Sequence, residues 1–344
     1  MSWDIVIKYL TYAIEKDYIK DYLLKLGDTR FYKIDEHGII YSVTNRISEQ
    51  TLEDMETLFK RPFRYYEAGF NRYVKAYSHN IYKPSFTYTN GLYIGQTLED
   101  ILSLPIDTEQ NNYLIVGTSG SGKSNITLNA IKSAIHNNIE VVICDNKNSK
   151  DYDSFKGSAK LYKSIEQCVS VIHGSIEECE RRSTEDTCFK PKLLVIDEVF
   201  PFLTLKDKKD IYNTLALLLS RCRSVNIHVW IATQRATTEI IPSIITANIS
   251  HRICLQTASE QESINVLQCG KAYRLDSVGE GYYRYNSKLI RFKAPKFTKP
   301  KEVSEKYLQP KEITENIPST TKYKIVPSDS YQNKLESTYI IDKE

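Results

Sequence analysis

Apolar and polar positions change rhythm along the chain, most regularly between residues 92 and 297. Tyr113-Leu-Ile-Val116, Val141-Val-Ile-Cys144, Leu193-Leu-Val-Ile196, Ile227–Thr233 and Arg252–Gln256 are short, mostly apolar runs, which predict buried strands. Between them the apolar positions recur at intervals of three and four. Asn125–His136 sets Ile126, Leu128, Ala130, Ile131, Ala134 and Ile135 at spacings that suit a helix packed on a sheet. Ser164–Arg182 puts Ile165, Cys168, Val169, Ile172, Ile176 and Cys179 on one stripe, and Lys206–Arg223 carries Ile211, Leu215, Leu218 and Leu219. Strand and helix in alternation predict an α/β domain over 92–297, built on a central, mostly parallel sheet.

Residues 1–91 predict a small α+β accessory module. A helix is expected over Ile5–Leu26, and then a hairpin pairing Phe31–Ile34 with Ile39–Val43 around Asp35-Glu-His-Gly38. Ser48 is placed to cap a helix that runs through Phe59, with Leu52, Met55, Leu58 and Phe59 on one face and Pro62 ending it. Lys60–Lys75 then interleaves five basic residues with aromatics. That pattern suits contacts to phosphates and bases, and equally a solvated strand or helix whose aromatics face a core, which is the commoner meaning of a charge run. Beyond 297 the composition turns to Lys, Pro, Glu, Ser and Thr with few apolar clusters, so 298–344 is expected to be a mostly disordered tail or partner-binding arm.

Composition narrows the class less than pattern does. The 344 residues leave ample room for a core, and 41% hydrophobic with 26% charged residues is ordinary for a globular protein. A formal charge of +3 is too small to demand a nucleic-acid partner, so any such surface must be local. Seven cysteines are scattered without C-x-x-C pairs, which reads as reduced core thiols in a cytoplasmic protein. No run approaches a membrane span, and the first residues lack the layout of a secretory signal.

Chemistry concentrates in three places. Gly117-Thr118-Ser119-Gly120-Ser121-Gly122-Lys123-Ser124 fills every fixed position of the phosphate loop G-x-x-x-x-G-K-[ST], between a predicted strand and a predicted helix that opens with Asn125. The glycines let successive N–H groups turn inward toward phosphate oxygens at a helix N-terminus. Lys123 is placed for the β- and γ-phosphates, and the Ser124 hydroxyl for Mg2+. Leu193-Leu-Val-Ile196 then delivers Asp197 and Glu198 to the sheet edge, the first as a Mg2+ ligand and the second as the group that orients and deprotonates water. Gln234 follows the predicted strand Ile227–Thr233, where it can sense a γ-phosphate or serve as a plain surface glutamine.

Several blocks carry a family resemblance. Asn226-Ile-His-Val-Trp-Ile-Ala-Thr-Gln-Arg235, Ile240–Asn248 and Ser250-His-Arg252-Ile resemble the corresponding block of the FtsK/SpoIIIE DNA translocases, within the FtsK/HerA group of P-loop ATPases. Glu177-Glu-Cys-Glu-Arg-Arg182, Gly279-Glu-Gly281-Tyr and the lead-in Leu92-Tyr-Ile-Gly95 are similar to further family segments, so the resemblance covers about 92–295. It implies a RecA-like ATPase that assembles as a ring, usually a hexamer, with double-stranded DNA in the channel and ATP between subunits. A neighbour's arginine would stabilise the transferring phosphate, with Arg252 as candidate and Arg221 and Arg223 as rivals. The loop from Arg235 to Thr246 would touch DNA backbone without reading sequence. Ala236 departs from the proline usual in the family. Lacking a membrane-spanning N-terminus and a winged-helix tail, the chain is expected to resemble motors of conjugative elements, plasmids or phages, with a relaxase or membrane channel as a possible partner.

Other expectations are compatible with these residues. The motor could be a coupling or genome-packaging ATPase working with a channel or portal. A small-molecule phosphotransferase would need an arginine-rich lid and an acceptor pocket where the Gln234–Arg252 block lies. A non-hydrolysing scaffold would have no use for Glu198.

Overall fold

Alternate residues of the central strands face two different helical layers, and this period of two organises the molecule. The computed structural model describes residues 16–299 apart from 36–37, 60, 78–83, 99, 107–111, 186–187 and 206–207. The chain divides into Met1–Lys299 and Pro300–Glu344. The expected tail therefore lies, beyond Lys299, outside the described residues, as does the start of the expected first helix.

Residues 16–24 are helical (α1), followed by strands β1 (Thr29–Asp35) and β2 (Gly38–Val43), helix α2 (Glu49–Phe59) and strands β3 (Phe63–Ala68) and β4 (Asn71–Tyr77). The strands form an antiparallel sheet in the order β1-β2-β4-β3. Ile19, Leu23, Ile39, Tyr41, Met55 and Val74 meet beneath it in one buried cluster. Ser48 caps α2 as expected, its hydroxyl accepting from the Thr51 amide at 3.1 Å. The basic-aromatic segment is the β3–β4 hairpin: Phe63 enters the core, and Glu67 accepts from Tyr65, Arg46 and Arg72. The ring of Tyr66 stacks on Tyr73 at 5.3 Å.

The second sheet begins with β5 (Leu92–Gln96), β6 (Ile101–Leu104) and β7 (Asn112–Val116). Helix α3 (Lys123–His136), β8 (Glu140–Asp145), β9 (Lys160–Tyr162), α4 (Ile165–Thr184), β10 (Lys192–Asp197), α5 (Lys208–Arg221) and β11 (Ile227–Thr233) follow. The chain continues through α6 (Ser243–Thr246), β12 (His251–Leu255), α7 (Glu260–Leu267), β13 (Glu280–Tyr285) and β14 (Lys288–Lys293). Among the described residues the sheet has ten strands in the order β6-β5-β14-β13-β12-β7-β11-β10-β8-β9. From β12 to β9 every pairing is parallel, and from β12 to β6 every pairing is antiparallel. The mostly parallel sheet was expected; its antiparallel extension and α7 were not.

Two cores lie on the two faces. Leu114, Val142, Leu194, Ile196 and Val229 face α4 and α5, whereas Tyr113, Ile115, Ile143, Val195 and Trp230 face α3. Complete burial of such side chains contributes about 1.5–3 kcal/mol each, which fixes strand register firmly. Trp230, fully buried, also donates from its indole nitrogen to the Thr127 hydroxyl at 3.2 Å, holding α3 against β11. Ion pairs tie α2 to the second part of the chain, Glu53 to Lys271 at 2.8 Å and Glu56 to Arg291 of β14 at 2.6 Å.

Candidate active site

Residues 117–122 turn the chain from β7 into α3. The Gly117 amide donates to the Thr233 carbonyl at 3.3 Å and the Thr118 amide to the Gln256 carbonyl at 2.8 Å, so the loop is rooted on both neighbouring strands. Gly122 stands at φ +104°, and a Cβ there would lie 2.7 Å from the Gly279 nitrogen. Only glycine serves at such a close, left-handed position. The Gly279 amide in turn donates to the Ser121 carbonyl at 2.7 Å, which gives the late glycine turn its physical task.

Helix α3 starts unlike its neighbours. Helix α4 carries a reciprocal cap between Ser164 and Gln167, and α7 is capped by Ser259, but α3 has no side-chain cap and no acidic residue in its first turn. The first-turn amides of a helix have no intrahelical acceptor, so this end is left with donors for an anion. Lys123 opens the helix with a relative exposure of only 6%. Burial lowers its pKa, with Lys147 pushing the same way, while Asp197 and Glu198 oppose the shift.

Strand β10 brings the carboxylates to this same edge. Asp197 pairs with Ala232 of β11 and Asp145 of β8, so both neighbouring strands end beside it. Asp145, Asp197 and Glu198 are all buried. Burial, and then the charge of Asp197, pushes the Asp145 carboxyl above its usual range. Glu198 stands at φ +80°, a conformation that costs a non-glycine residue about 1–3 kcal/mol and clusters at functional sites. Its amide donates to the Ala232 carbonyl at 2.9 Å, and its own carbonyl accepts from the Asn146 side chain at 2.7 Å. The Thr233 hydroxyl donates to Oε1 at 2.7 Å. Buried Oε2 accepts no hydrogen bond; the Lys147 ammonium lies 3.6 Å from it and 3.5 Å from Asp197 Oδ1.

These donors fit a magnesium ion that arrives with phosphate. Among the described residues no three acidic, histidine or cysteine side chains form a metal cluster, and Mg2+ commonly relies on one or two carboxylates, completed by waters and phosphate oxygens. Half-buried Ser124 in the first turn of α3 and buried Asp197 are the residues whose oxygens would hold it. The Lys147 ammonium lies between Asp197 and Glu198.

The other expected residues are placed less centrally. The Asn125 side chain is turned away, accepting from the Phe297 amide at 3.0 Å, which leaves only its backbone for the loop. Gln234 is half-buried just past β11, next to an Arg235 held by Glu262 at 2.5 Å. Arg252 lies near the start of β12, opposite Leu114 of β7 and so toward the other end of the sheet. Its guanidinium donates to the carbonyls of Thr246 (2.9 Å), Ile249 (3.3 Å) and Val266 (3.3 Å). To act in trans, this arginine would have to give up these three bonds. Arg221 is paired with Glu180 at 2.6 Å, and Arg223 is exposed.

Asn146, Lys147 and Thr233 are members of the cluster that sequence reasoning did not single out. Their signal was positional, since Thr233 ends β11 and Asn146 and Lys147 directly follow β8, the two strands that flank β10.

No protein-family model matches the chain. The DNA translocase FtsK of Borreliella burgdorferi is 30% identical over 133 residues, 39% of this chain and 16% of that protein. FtsK of Staphylococcus epidermidis is 25% identical over 221 residues, 54% of this chain and 28% of that protein. The DNA translocase SpoIIIE of Bacillus subtilis is 28% identical over 113 residues, 32% of this chain and 15% of that protein. The chain thus matches only a minor part of each of these relatives. In fold, it resembles the pCW3 conjugation coupling protein TcpA, solved as a monomer with ATPγS, at TM-score 0.61 and 17% identity over 81% of this chain and 92% of that one. The cytoplasmic domain of the type VII secretion ATPase EccC from Thermomonospora curvata gives TM-score 0.54 at 22% identity over 64% of this chain and 30% of that one. Sequence matches and the phosphate loop thus make the chain similar to the FtsK/SpoIIIE-type DNA translocases, and its fold resembles that of P-loop ATPases such as TcpA.

Proposed function

We propose that the chain is an ATP-hydrolysing, ring-forming DNA translocase, most simply a motor for DNA transfer by a conjugative element, plasmid or phage. The observation that carries this reading is the buried Glu198, set beside the phosphate loop with one carboxylate oxygen fixed by Thr233 and the other without a hydrogen bond. A residue that only holds structure would have both oxygens satisfied; one that must take a proton from water needs a free lone pair.

In this reading the loop 117–125 cradles the phosphates with the amides that its own turns leave over and Lys123 neutralises them, while Ser124 and Asp197 hold Mg2+. The ion, when bound, withdraws charge from the phosphate oxygens. Glu198 orients the attacking water and accepts its proton. Gln234, at the end of β11, registers the γ-phosphate and transmits its loss to the loop from Arg235 to Thr246, which meets DNA backbone. Binding at a subunit interface calls for an arginine in trans, and exposed Arg223 suits that task better than Arg252 does. Residues 1–91 are proposed as an accessory module and 298–344 as a partner-binding arm. The similarity to TcpA runs over most of both chains, and we take DNA transfer through a membrane channel as the setting.

The test is the ATPase rate with and without linear duplex DNA, for the wild-type protein and Lys123→Ala. Stimulation by duplex, absent from the variant, is expected. DNA-independent phosphate transfer to a small acceptor would replace this reading by that of a phosphotransferase.

A further inference from the structure

Three buried carboxylates meet at the nucleotide edge, and the ammonium that bridges two of them comes from the turn just after β8. We propose that Lys147 is the resident counter-ion of the nucleotide-free site and the positioning residue for Glu198, and that it yields this place when Mg2+ and phosphate arrive. The proposal rests on the nucleotide-hydrolysing reading and adds a residue and a form of regulation to it.

Three observations carry it. The Lys147 ammonium lies within 3.5 Å of Asp197 Oδ1 and 3.6 Å of Glu198 Oε2, the oxygen that no hydrogen bond satisfies. Its backbone is pinned, the amide donating to Asp145 Oδ1 at 3.2 Å, while its neighbour Asn146 holds the Glu198 carbonyl at 2.7 Å. One short turn therefore fixes both the main chain and the carboxylate of Glu198. Finally, the side chain is 28% exposed on a flexible stem, unlike Lys123, which is buried at the head of a helix. A point charge of that kind can be exchanged for another cation without refolding the site.

Exchange gives the site a latch. While Lys147 spans Asp197 and Glu198, the metal ligand and the base are held in place by the same cation until nucleotide arrives. A divalent ion brought in with phosphates satisfies Asp197 better than one ammonium does, so the lysine is released toward the incoming negative charge. Carboxylates left with no cation would repel one another in a buried setting.

The test uses the full chain without nucleotide, with Mg2+ alone as the probe and the thermal midpoint as readout. Wild-type protein is expected to show no response to millimolar Mg2+. Lys147→Gln is expected to melt at least about 2–4 °C lower and to recover when Mg2+ is added. In ATP turnover the same variant should lose about 10–100-fold in kcat with KM for ATP nearly unchanged, and Lys147→Arg should recover most of that loss. A glutamine variant that melts like wild type and ignores Mg2+ overturns the proposal, as does a KM that rises in step with the fall in kcat. If the glutamine variant does not fold, Lys147→Arg decides. Wild-type midpoint and near-wild-type kcat support the counter-ion role, whereas a loss as large as that expected for glutamine contradicts it. Because the Mg2+ response needs no turnover, it survives a failure of the hydrolysis reading and separates the two claims.

Discussion

The two ends of the parallel strands use the same kinds of charged residue in opposite ways. At the amino end, Arg182 is almost wholly buried, yet its guanidinium donates to Glu178 at 2.6 and 3.0 Å and to the carbonyls of Lys190 at 3.2 Å and Val225 at 3.0 Å. Lys192 completes the group on the other oxygen of Glu178. Burial alone would raise that carboxyl, but Lys192 and Arg182 hold it below its usual range. Arg252 and Arg284 are likewise spent on carbonyls within the chain. At the carboxyl end, α3 lacks a cap, Glu198 is held at positive φ with one oxygen unsatisfied, and two lysines face three carboxylates. Buried charge that is satisfied internally holds the fold together; buried charge that is not marks where a ligand completes the structure.

Breaking the satisfied end should cost stability and spare chemistry. Arg182→Ala removes one member of a buried ionic group and is expected to destabilise the protein by about 3–5 kcal/mol in urea unfolding, with nucleotide affinity unchanged in the fraction that folds. A smaller loss, about 1–3 kcal/mol, is expected for Arg252→Ala, which takes the guanidinium donor away from three carbonyls. Mixing that variant with Lys123→Ala should restore no turnover; recovery of activity in the mixture would return Arg252 to the trans-acting role. At the other end, Thr233→Val deletes the donor to Glu198 Oε1 and should lower ATP turnover about tenfold while melting near wild type, because the hydroxyl orients rather than supports. The smallest effect is reserved for a completed helix end: Ser164→Ala should cost α4 about 1 kcal/mol and leave turnover alone.

The same contrast explains what could be read from the sequence. Strands β7, β8, β10 and β11 are apolar on both faces because helices cover both, so their runs stand out. Strands β13 (EGYYRY) and β14 (KLIRFK) carry tyrosines and charged residues in place of a continuous apolar run, and no strand was expected there. The phosphate loop, Asp197 and Glu198 are local in sequence and were legible as motifs. Asn146, Lys147 and Thr233 join them only through strand order, since β8 and β11 flank β10. Had that order been fixed first, the residues after each of those strands would have been the natural place to look. The basic-aromatic segment shows the reverse limit. Its charges suited either a phosphate-binding run or, more commonly, a solvated face; in the fold Glu67 engages Arg72 of the segment and Arg46 outside it, and hydrogen bonds from Tyr65 and Arg46 hold its carboxyl down at about 2.

The central claim is that Glu198 performs chemistry at an edge built to bind nucleotide. The most direct measurement compares Glu198→Gln with wild type in both ATP turnover and ATP affinity. The account predicts turnover lower by about 10²–10⁴-fold with the Kd for ATP essentially preserved, because glutamine keeps the shape and the bond from Thr233 but cannot take a proton from water. Unchanged turnover, or an affinity lost in proportion to the rate, would contradict it.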